Sequence, residues 1–222
     1  MKRLTVGLAI ALILAGTFLI GGMAQAKDGV SRYAVTITNI TRGQIISPPV
    51  VISHNQKFQV FHLGNPASPE LAALAEDADT VPLAALLDGL DTVYDYHVAD
   101  GPILPGMSVT VEVKGQGGFR IISAAGMLVT TNDAFFAVRG VYARPGAGVQ
   151  VNARAYDAGS EKNSELCAFI PGPPCGNGGV RDTEGAEGYV YIHSGIHGHG
   201  DLEPADLDWQ NPVAIVNIQR VK

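Results

Sequence analysis

The sequence contains few charged residues and no basic run that could bind a polyanion. Only 16% of its 222 residues are charged, and 21 acidic residues against 15 basic ones give a net charge of −6. After Lys2-Arg3, no two lysines or arginines are adjacent. A net acidic chain of this kind argues against nucleic acid or an anionic membrane surface as the partner.

The common catalytic motifs are also missing from the sequence. It has no Gly-x-Ser-x-Gly elbow, no His-Glu-x-x-His helix, no P-loop and no dinucleotide-binding fingerprint. Carboxylates are plentiful, but their spacing gives no reason to pair two of them across a cleft as in a glycosidase. The sequence therefore predicts a protein that is not an enzyme.

Cysteine is scarce, with only Cys167 and Cys175 at the ends of a Pro/Gly-rich segment. A redox-active pair is the functional alternative, but the Cys-x-x-Cys spacing of such pairs is absent. In an oxidising compartment, we expect the two cysteines to form a disulfide that closes this loop.

A long apolar run occurs only near the N-terminus. Lys2 and Arg3 precede a largely apolar stretch that reaches Ile20, and Ala24-x-Ala26 suits signal peptidase. We expect a cleaved signal peptide at residues 1–26 and one secreted or periplasmic domain at residues 27–222, with no stable membrane insertion after cleavage. An uncleaved membrane anchor is the alternative.

Glycine and proline are abundant, and they separate short segments of alternating polarity. The chain has 27 glycines and 13 prolines, and Val109, Val111 and Val113 alternate with polar residues. Such patterns predict half-buried strands joined by turns. Strands are expected at residues 33–38, 50–53, 58–63, 107–114, 119–124, 127–131, 135–142, 149–156, 188–193 and 213–221, and short helices at 68–77 and 82–89. The fold class is all-β, a sandwich or a barrel with short helical insertions.

Two acidic loops follow strand-like runs and carry oxygen donors suited to a hard cation. Asp157 and Glu161 flank Gly159 after one run, and Asn132 and Asp133 end another. Carboxylate and amide oxygens of this kind bind calcium when loops converge at one end of a sandwich. The alternative is that Asp157 and Asn132 only cap turns through bonds to the backbone.

A histidine-rich loop is the second candidate site. His193, His197 and His199 lie within seven residues and could ligate zinc or copper, which would make the chain a metal-dependent enzyme. The alternative is that His193 ends a strand and His197 bonds to the loop backbone.

The remaining histidines and the single tryptophan are isolated in the sequence. His54, His62 and His97 are expected to be ordinary strand or turn residues. Trp209 is expected to close the end of a core, with ligand stacking as the alternative.

Several segments resemble the spondin domain, the amino-terminal module of F-spondin and mindin. Residues 157–161, Asp-Ala-Gly-Ser-Glu, are similar to the family's Asp-Ala-Gly-Thr-Asp segment, and residues 132–138 resemble a second segment with Asp133 on its acid. Bacterial single-domain members are more similar still. The segments that carry this likeness are residues 67–72, 156–159, 195–202 and 208–214.

This resemblance implies a C2-like antiparallel β-sandwich with calcium bound by Asp133, Asp157 and Glu161. Glu161 departs from the family, because animal members have Asp at that position. The expected function is a calcium-binding recognition or adhesion module that binds an unidentified extracellular or envelope protein or glycan. Two rivals remain, which are a metal-dependent enzyme that uses the histidine loop and a metal-free structural envelope protein.

Overall fold

The computed structural model describes residues 29–144, 146 and 148–221, so the expected signal peptide at 1–26 lies outside the described residues. The strands within this part are β1 Ser31–Asn39, β2 Val50–His54, β3 Val93–Val98, β4 Ser108–Gly115, β5 Ile121–Met127, β6 Ala134–Tyr142, β7 Val149–Asp157, β8 Tyr191–Ile192 and β9 Ala214–Arg220. The helices are α1 Pro69–Asp77, α2 Val81–Asp88 and α3 Pro204–Leu207, and Cys167–Phe169 forms one 3₁₀ turn.

The strands of the described residues form one antiparallel sheet that folds over on itself. Their order is β3-β2-β5-β6-β7-β9-β1-β4, and the short β8 pairs with the end of β7. The first half of β7 pairs with β9 and its second half pairs with β6, so β7 belongs to both layers. At the open edge, the Lys114 N–H of β4 donates to the Asp95 carboxylate of β3 at 2.7 Å. The predicted all-β sandwich with short helical insertions is confirmed.

The main core fills the space between the two layers. Val111 and Val113 of β4 point inwards with Val35 and Ile37 of β1, as the alternating pattern predicts. Trp209 is 7% exposed and packs into the same cluster, which confirms its expected core position. Burial of these apolar side chains is the main stabilising contribution to the fold.

A second core lies between the outer face of β2, β5 and β6 and the helices. Leu71 and Leu74 of α1 and Leu83 and Leu87 of α2 cover Phe135 of β6. These strands are therefore buried on both faces, and all five residues of β2 are buried. Strands covered on both sides have continuous apolar sequences instead of alternating ones.

The two predicted helices are confirmed to within a residue at each end. The Ser68 hydroxyl caps α1 by accepting a bond from the Leu71 N–H at 3.3 Å, and Pro69 begins the helix. Helix α2 ends before Gly89, as expected. In the part of the chain that the structure describes, no helix is long and apolar enough to cross a membrane.

Four features differ from the predictions, and one of them is the strand predicted at 188–193, which is a strand only at Tyr191–Ile192. Residues 58–63 form no strand, because Phe58 and Phe61 turn into the helix-side core from an irregular segment. The strand predicted at 127–131 is wrong beyond Met127, where Thr131 closes a turn through bonds to the Leu128 carbonyl and the Ala134 N–H. Strand β3 was not predicted, although its valines and tyrosines favour a strand.

The predicted pairing of the two cysteines is confirmed. Cys167 and Cys175 form a disulfide with their Cα atoms 4.8 Å apart. The bond closes a small loop that follows the acidic segment.

Candidate functional site

Antiparallel pairing brings the two predicted acidic loops together. Asp133 precedes β6, and Ala134 at the start of β6 is opposite Asp157 at the end of β7. The N–H groups of Ser160 and Glu161 donate to Oδ2 of Asp133 at 2.8 and 2.9 Å. Asp133, Asp157 and Glu161 are all fully buried. The loop after β7 therefore wraps around the Asp133 carboxylate.

Gly159 permits the tight turn that makes this wrapping possible. Its φ of +65° lies in the left-handed region, and a Cβ here would lie 2.3 Å from the Tyr189 carbonyl oxygen. Both the backbone angle and the close neighbour exclude a side chain. Gly159 therefore lets the chain bend back after β7.

Two buried carboxylate oxygens of this cluster have no hydrogen-bond donor among the described residues. They are Oδ1 of Asp133 and Oε2 of Glu161. The second oxygen of Glu161 accepts a bond from the Asp182 N–H at 2.8 Å. Buried polar atoms almost always have a partner, and an anionic oxygen without a donor is suited to coordinating a cation.

Asp157 and Asn132 are engaged differently from these two acids. Asp157 accepts bonds from the Gly159 N–H at 2.7 Å and from the Asn163 side-chain amide at 2.5 Å. Oδ1 of Asn132 accepts the Glu165 N–H at 3.1 Å. Asp157 thus caps the turn at Gly159, as the capping alternative requires, whereas Asn132 binds a loop 33 residues further along the chain. Ligation by either side chain stays a prediction.

Asn163 is a central residue that was not singled out from the sequence. Its amide joins Asp157 to the Tyr191 hydroxyl at 2.8 Å, and its carbonyl oxygen lies 3.0 Å from Nε2 of His193. The acidic segment includes Asn163, but Tyr191 and His193 come from a distant segment that only the fold brings near. The two predicted sites are therefore connected through this one side chain.

The electrostatics of the cluster favour a neutralising charge. Burial, together with the charge of Asp157, raises the pKa of Asp133 well above its usual range. Burial also raises the pKa of Asp157 to about 6 and that of Glu161 to about 7. Adjacent buried carboxylates cannot all remain ionised without compensation. The raised pKa values therefore favour the binding of protons or of a cation at these acids.

The nearest arginine is already shared between other acids. Arg181 forms ion pairs with Glu76 and Asp77 at the end of α1. Its charge also lowers the pKa of Glu161, against the larger effect of burial. Arg181 therefore compensates the cluster only in part.

The histidine loop does not present three free ligands. Nδ1 of the buried His193 accepts a bond from the Gly195 N–H at 3.0 Å, so Nε2 carries the hydrogen and faces Asn163. Burial lowers the pKa of His193 to about 4, so its ring is neutral. His197 and His199 are exposed, with ring centres 5.4 Å apart, and the backbone N–H groups of both residues donate to the Glu165 carboxylate.

Among the described residues, no group of three or more His, Cys, Asp or Glu side chains has the arrangement of a metal centre. The acidic cluster offers two free carboxylate oxygens and not a complete shell of side-chain ligands. A calcium ion there would also need backbone carbonyl or water oxygens, which calcium commonly accepts.

No protein-family model matches this chain, and a search of curated proteins found no match. The resemblance to the spondin domain therefore depends on the sequence segments alone, and the activity must be argued from the geometry.

Proposed function

We propose that this chain is an exported, calcium-binding recognition module without catalytic activity. The observation that carries the proposal is a pair of buried oxygens without hydrogen-bond donors, Asp133 Oδ1 and Glu161 Oε2. They belong to two loops that are in direct contact. Calcium binds carboxylate and carbonyl oxygens in flexible geometry. An ion between the loops would replace the protons that burial otherwise favours.

The chemistry of the cluster favours calcium over softer or smaller ions. The free donors are oxygens, whereas zinc and copper sites usually include histidine nitrogen or cysteine sulfur. Magnesium demands a nearly ideal octahedron, and two loops joined by backbone bonds do not impose one. Calcium would cross-link the ends of β6 and β7 and fix the loop surface around them.

The proposed location is the periplasm or the cell exterior. The disulfide between Cys167 and Cys175 suits an oxidising compartment, and the amino-terminal segment resembles a signal peptide. The spondin-like segments add an adhesion-type role with an extracellular or envelope protein or glycan as partner. We propose a C2-like sandwich whose calcium-fixed loops form the recognition surface.

Calcium titration of chelator-treated protein tests the proposal. We expect measurable heat at millimolar calcium or below and a higher melting temperature, because the ion binds the folded state preferentially. Asp133→Asn should abolish both effects. Asp100→Asn is the matched control, since Asp100 is exposed and lies outside the cluster.

Metal analysis of the purified protein separates the rival functions. Calcium supports the proposal, and zinc or copper lost on changing His197 and His199 would favour the metal-dependent enzyme. Absence of any bound metal, with no melting shift on adding calcium, would leave a structural envelope protein.

A further inference from the structure

A further candidate site, different from the histidine loop, lies at the opposite end of β6 from the acidic cluster. It is a cavity of about 280 Å³ between the irregular segment after β2 and the bulged parts of β5 and β6. Arg139 at its mouth follows Asp133 by six residues, which is about 20 Å along an extended strand. The cavity is therefore separate from the proposed calcium site and independent of that proposal.

A β-bulge builds one wall of this cavity. Ile122 pairs with Val141 and Ala124 pairs with Val138, so Ser123 alone is opposite both Arg139 and Gly140. Gly140 adopts a φ of +71°, and its N–H donates to the Ser123 hydroxyl oxygen at 3.0 Å. Bulges redirect side chains and are common beside binding sites. Here the bulge places the Arg139 guanidinium 4.7 Å from the centre of the Phe61 ring.

The floor of the cavity is polar but uncharged. Nδ1 of His54 lies 2.7 Å from the Asn55 carbonyl oxygen, which can only accept, so Nδ1 carries the hydrogen. Nε2 then accepts the Ser123 hydroxyl at 2.8 Å. Burial also lowers the pKa of His54. His54 is thus more than an ordinary strand residue, because it fixes the floor beneath Arg139.

Arg139 gives the cavity a positive charge that no other lining group cancels. None of the ten described residues that line it is acidic. Arg139 is exposed and forms no ion pair with another described residue. In a chain with a net charge of −6, a cavity of this kind favours an anion. Its other walls include the aromatic rings of Phe58 and Phe61.

We propose that this cavity binds a small organic monocarboxylate with a flat apolar body. The carboxylate pairs with the planar guanidinium of Arg139, a geometry that allows two parallel hydrogen bonds. The apolar body packs against Val60 and Ile121, the partly exposed apolar residues of the lining. One guanidinium with no second arginine or lysine in the lining suits one negative charge better than phosphate, and the volume lies just below the usual range for ligand cavities, which suits a small ligand.

Benzoate and its neutral analogue benzamide test this proposal in chelator-containing buffer, with binding measured by saturation-transfer NMR and calorimetry. Wild-type protein should bind benzoate and should bind benzamide about tenfold more weakly. Arg139→Gln should weaken benzoate binding about tenfold and leave benzamide binding unchanged, because it removes a charged hydrogen-bond donor. Arg139→Lys should retain part of the affinity.

Arg154→Gln is the matched control, since Arg154 is an exposed arginine on the neighbouring β7 that does not line this cavity. It should bind benzoate like the wild type, and unchanged melting curves would establish that both glutamine variants fold. The proposal is overturned if benzamide binds as tightly as benzoate, if Arg139→Gln binds benzoate normally, or if inorganic phosphate displaces benzoate at equal concentration. Because calcium is absent, failure of this test is independent of the proposed calcium site.

Discussion

At the residue scale, Glu161 connects the protonation of the acidic cluster to protein stability. Its usual pKa is 4.5, and burial in the folded protein raises it to about 7. A carboxyl group with a raised folded pKa binds its proton more tightly in the folded state. Its stabilising contribution is fully present below pH 4.5 and is lost as the pH rises through about 7.

Glu161→Gln should therefore change stability in a way that depends on both pH and calcium. Glutamine resembles the protonated acid, so the variant should match the wild type near pH 4.5. At pH 8 in chelator it should be the more stable protein, by at most about 3 kcal/mol at 1.36 kcal/mol per pKa unit. With millimolar calcium at pH 8 the order should reverse. Urea unfolding under these three conditions measures the difference.

Comparing Glu161→Gln with the wild type removes the contribution of His193 to the pH dependence of stability. Its lowered pKa of about 4 has the opposite sign, since stability is lost as the pH falls from 6.5 through about 4. This trend is common to both proteins and cancels in the difference. Glu184→Gln, at an exposed position, should change stability by less than about 0.5 kcal/mol. If the wild type is more stable than Glu161→Gln at pH 8 in chelator, the pKa of Glu161 is not raised in the folded protein.

At the element scale, α1 ends with negative charge where a helix prefers positive charge. Glu76 and Asp77 occupy its last turn, which contains no basic residue. Arg181, from the distant segment after the disulfide loop, pairs with both of them. The Gly179 N–H also donates to Asp77 at 2.9 Å. Arg181 thus joins α1 to its own segment, in which the neighbouring Asp182 N–H donates to Glu161.

Arg181→Gln should destabilise the protein by about 1–2 kcal/mol at pH 7. This range is reduced from that of a fully buried pair because the arginine is partly exposed. Arg181 lowers the pKa of Asp77, so its contribution is present above pH 3.8 and is lost as the pH falls through the lowered folded pKa. The loss in the variant should therefore be smaller at pH 3. Urea unfolding at both pH values measures it.

Arg32→Gln is a matched control for this prediction. Arg32 pairs with Glu112 at 3.9 Å, and both side chains are more than half exposed. Exposed pairs of this kind contribute at most about 1 kcal/mol. If Arg181→Gln and Arg32→Gln lower the free energy of unfolding equally, Arg181 stabilises α1 no more than an exposed ion pair would.

At the scale of the whole molecule, the folded-over sheet separates the acidic cluster from the cationic cavity. Strand β6 begins beside the acidic cluster at Asp133 and reaches the cationic cavity at Arg139. Strand β7 crosses between the layers and ends in the acidic loop. The disulfide and Arg181 are among the contacts that hold the irregular chain between β7 and β8.

Replacing both cysteines, with Cys167→Ser and Cys175→Ser together, should lower the free energy of unfolding by about 2–3 kcal/mol. The bond closes a loop across a sequence separation of 8, and its loss restores freedom to the unfolded chain. Urea unfolding measures the change, and wild-type protein in reducing buffer should lose the same amount. A reduced wild type with unchanged stability would contradict the prediction.

Local pattern explains the parts of the fold that were predicted correctly. The alternation of Val109, Val111 and Val113 is a property of β4 alone, and Ser68-Pro69 marks the start of α1 without help from the rest of the chain. The strand predicted at residues 58–63 is wrong for the same reason, because it was predicted from a local pattern alone. Phe58 and Phe61 are apolar because helices α1 and α2 cover them, and a short apolar run does not reveal which element buries it.

The sequence by itself determined most of the strands, the two main helices and the disulfide, because each is encoded over a few neighbouring positions. Only the tertiary structure decided that Asp157 caps a turn and that Asn132 binds the distant Glu165 N–H, while Asp133 and Glu161 keep free oxygens. It alone revealed Asn163 between the acids and His193, and the cavity that Arg139 shares with His54. These depend on contacts between segments distant in the chain, for which a single sequence contains no local signal.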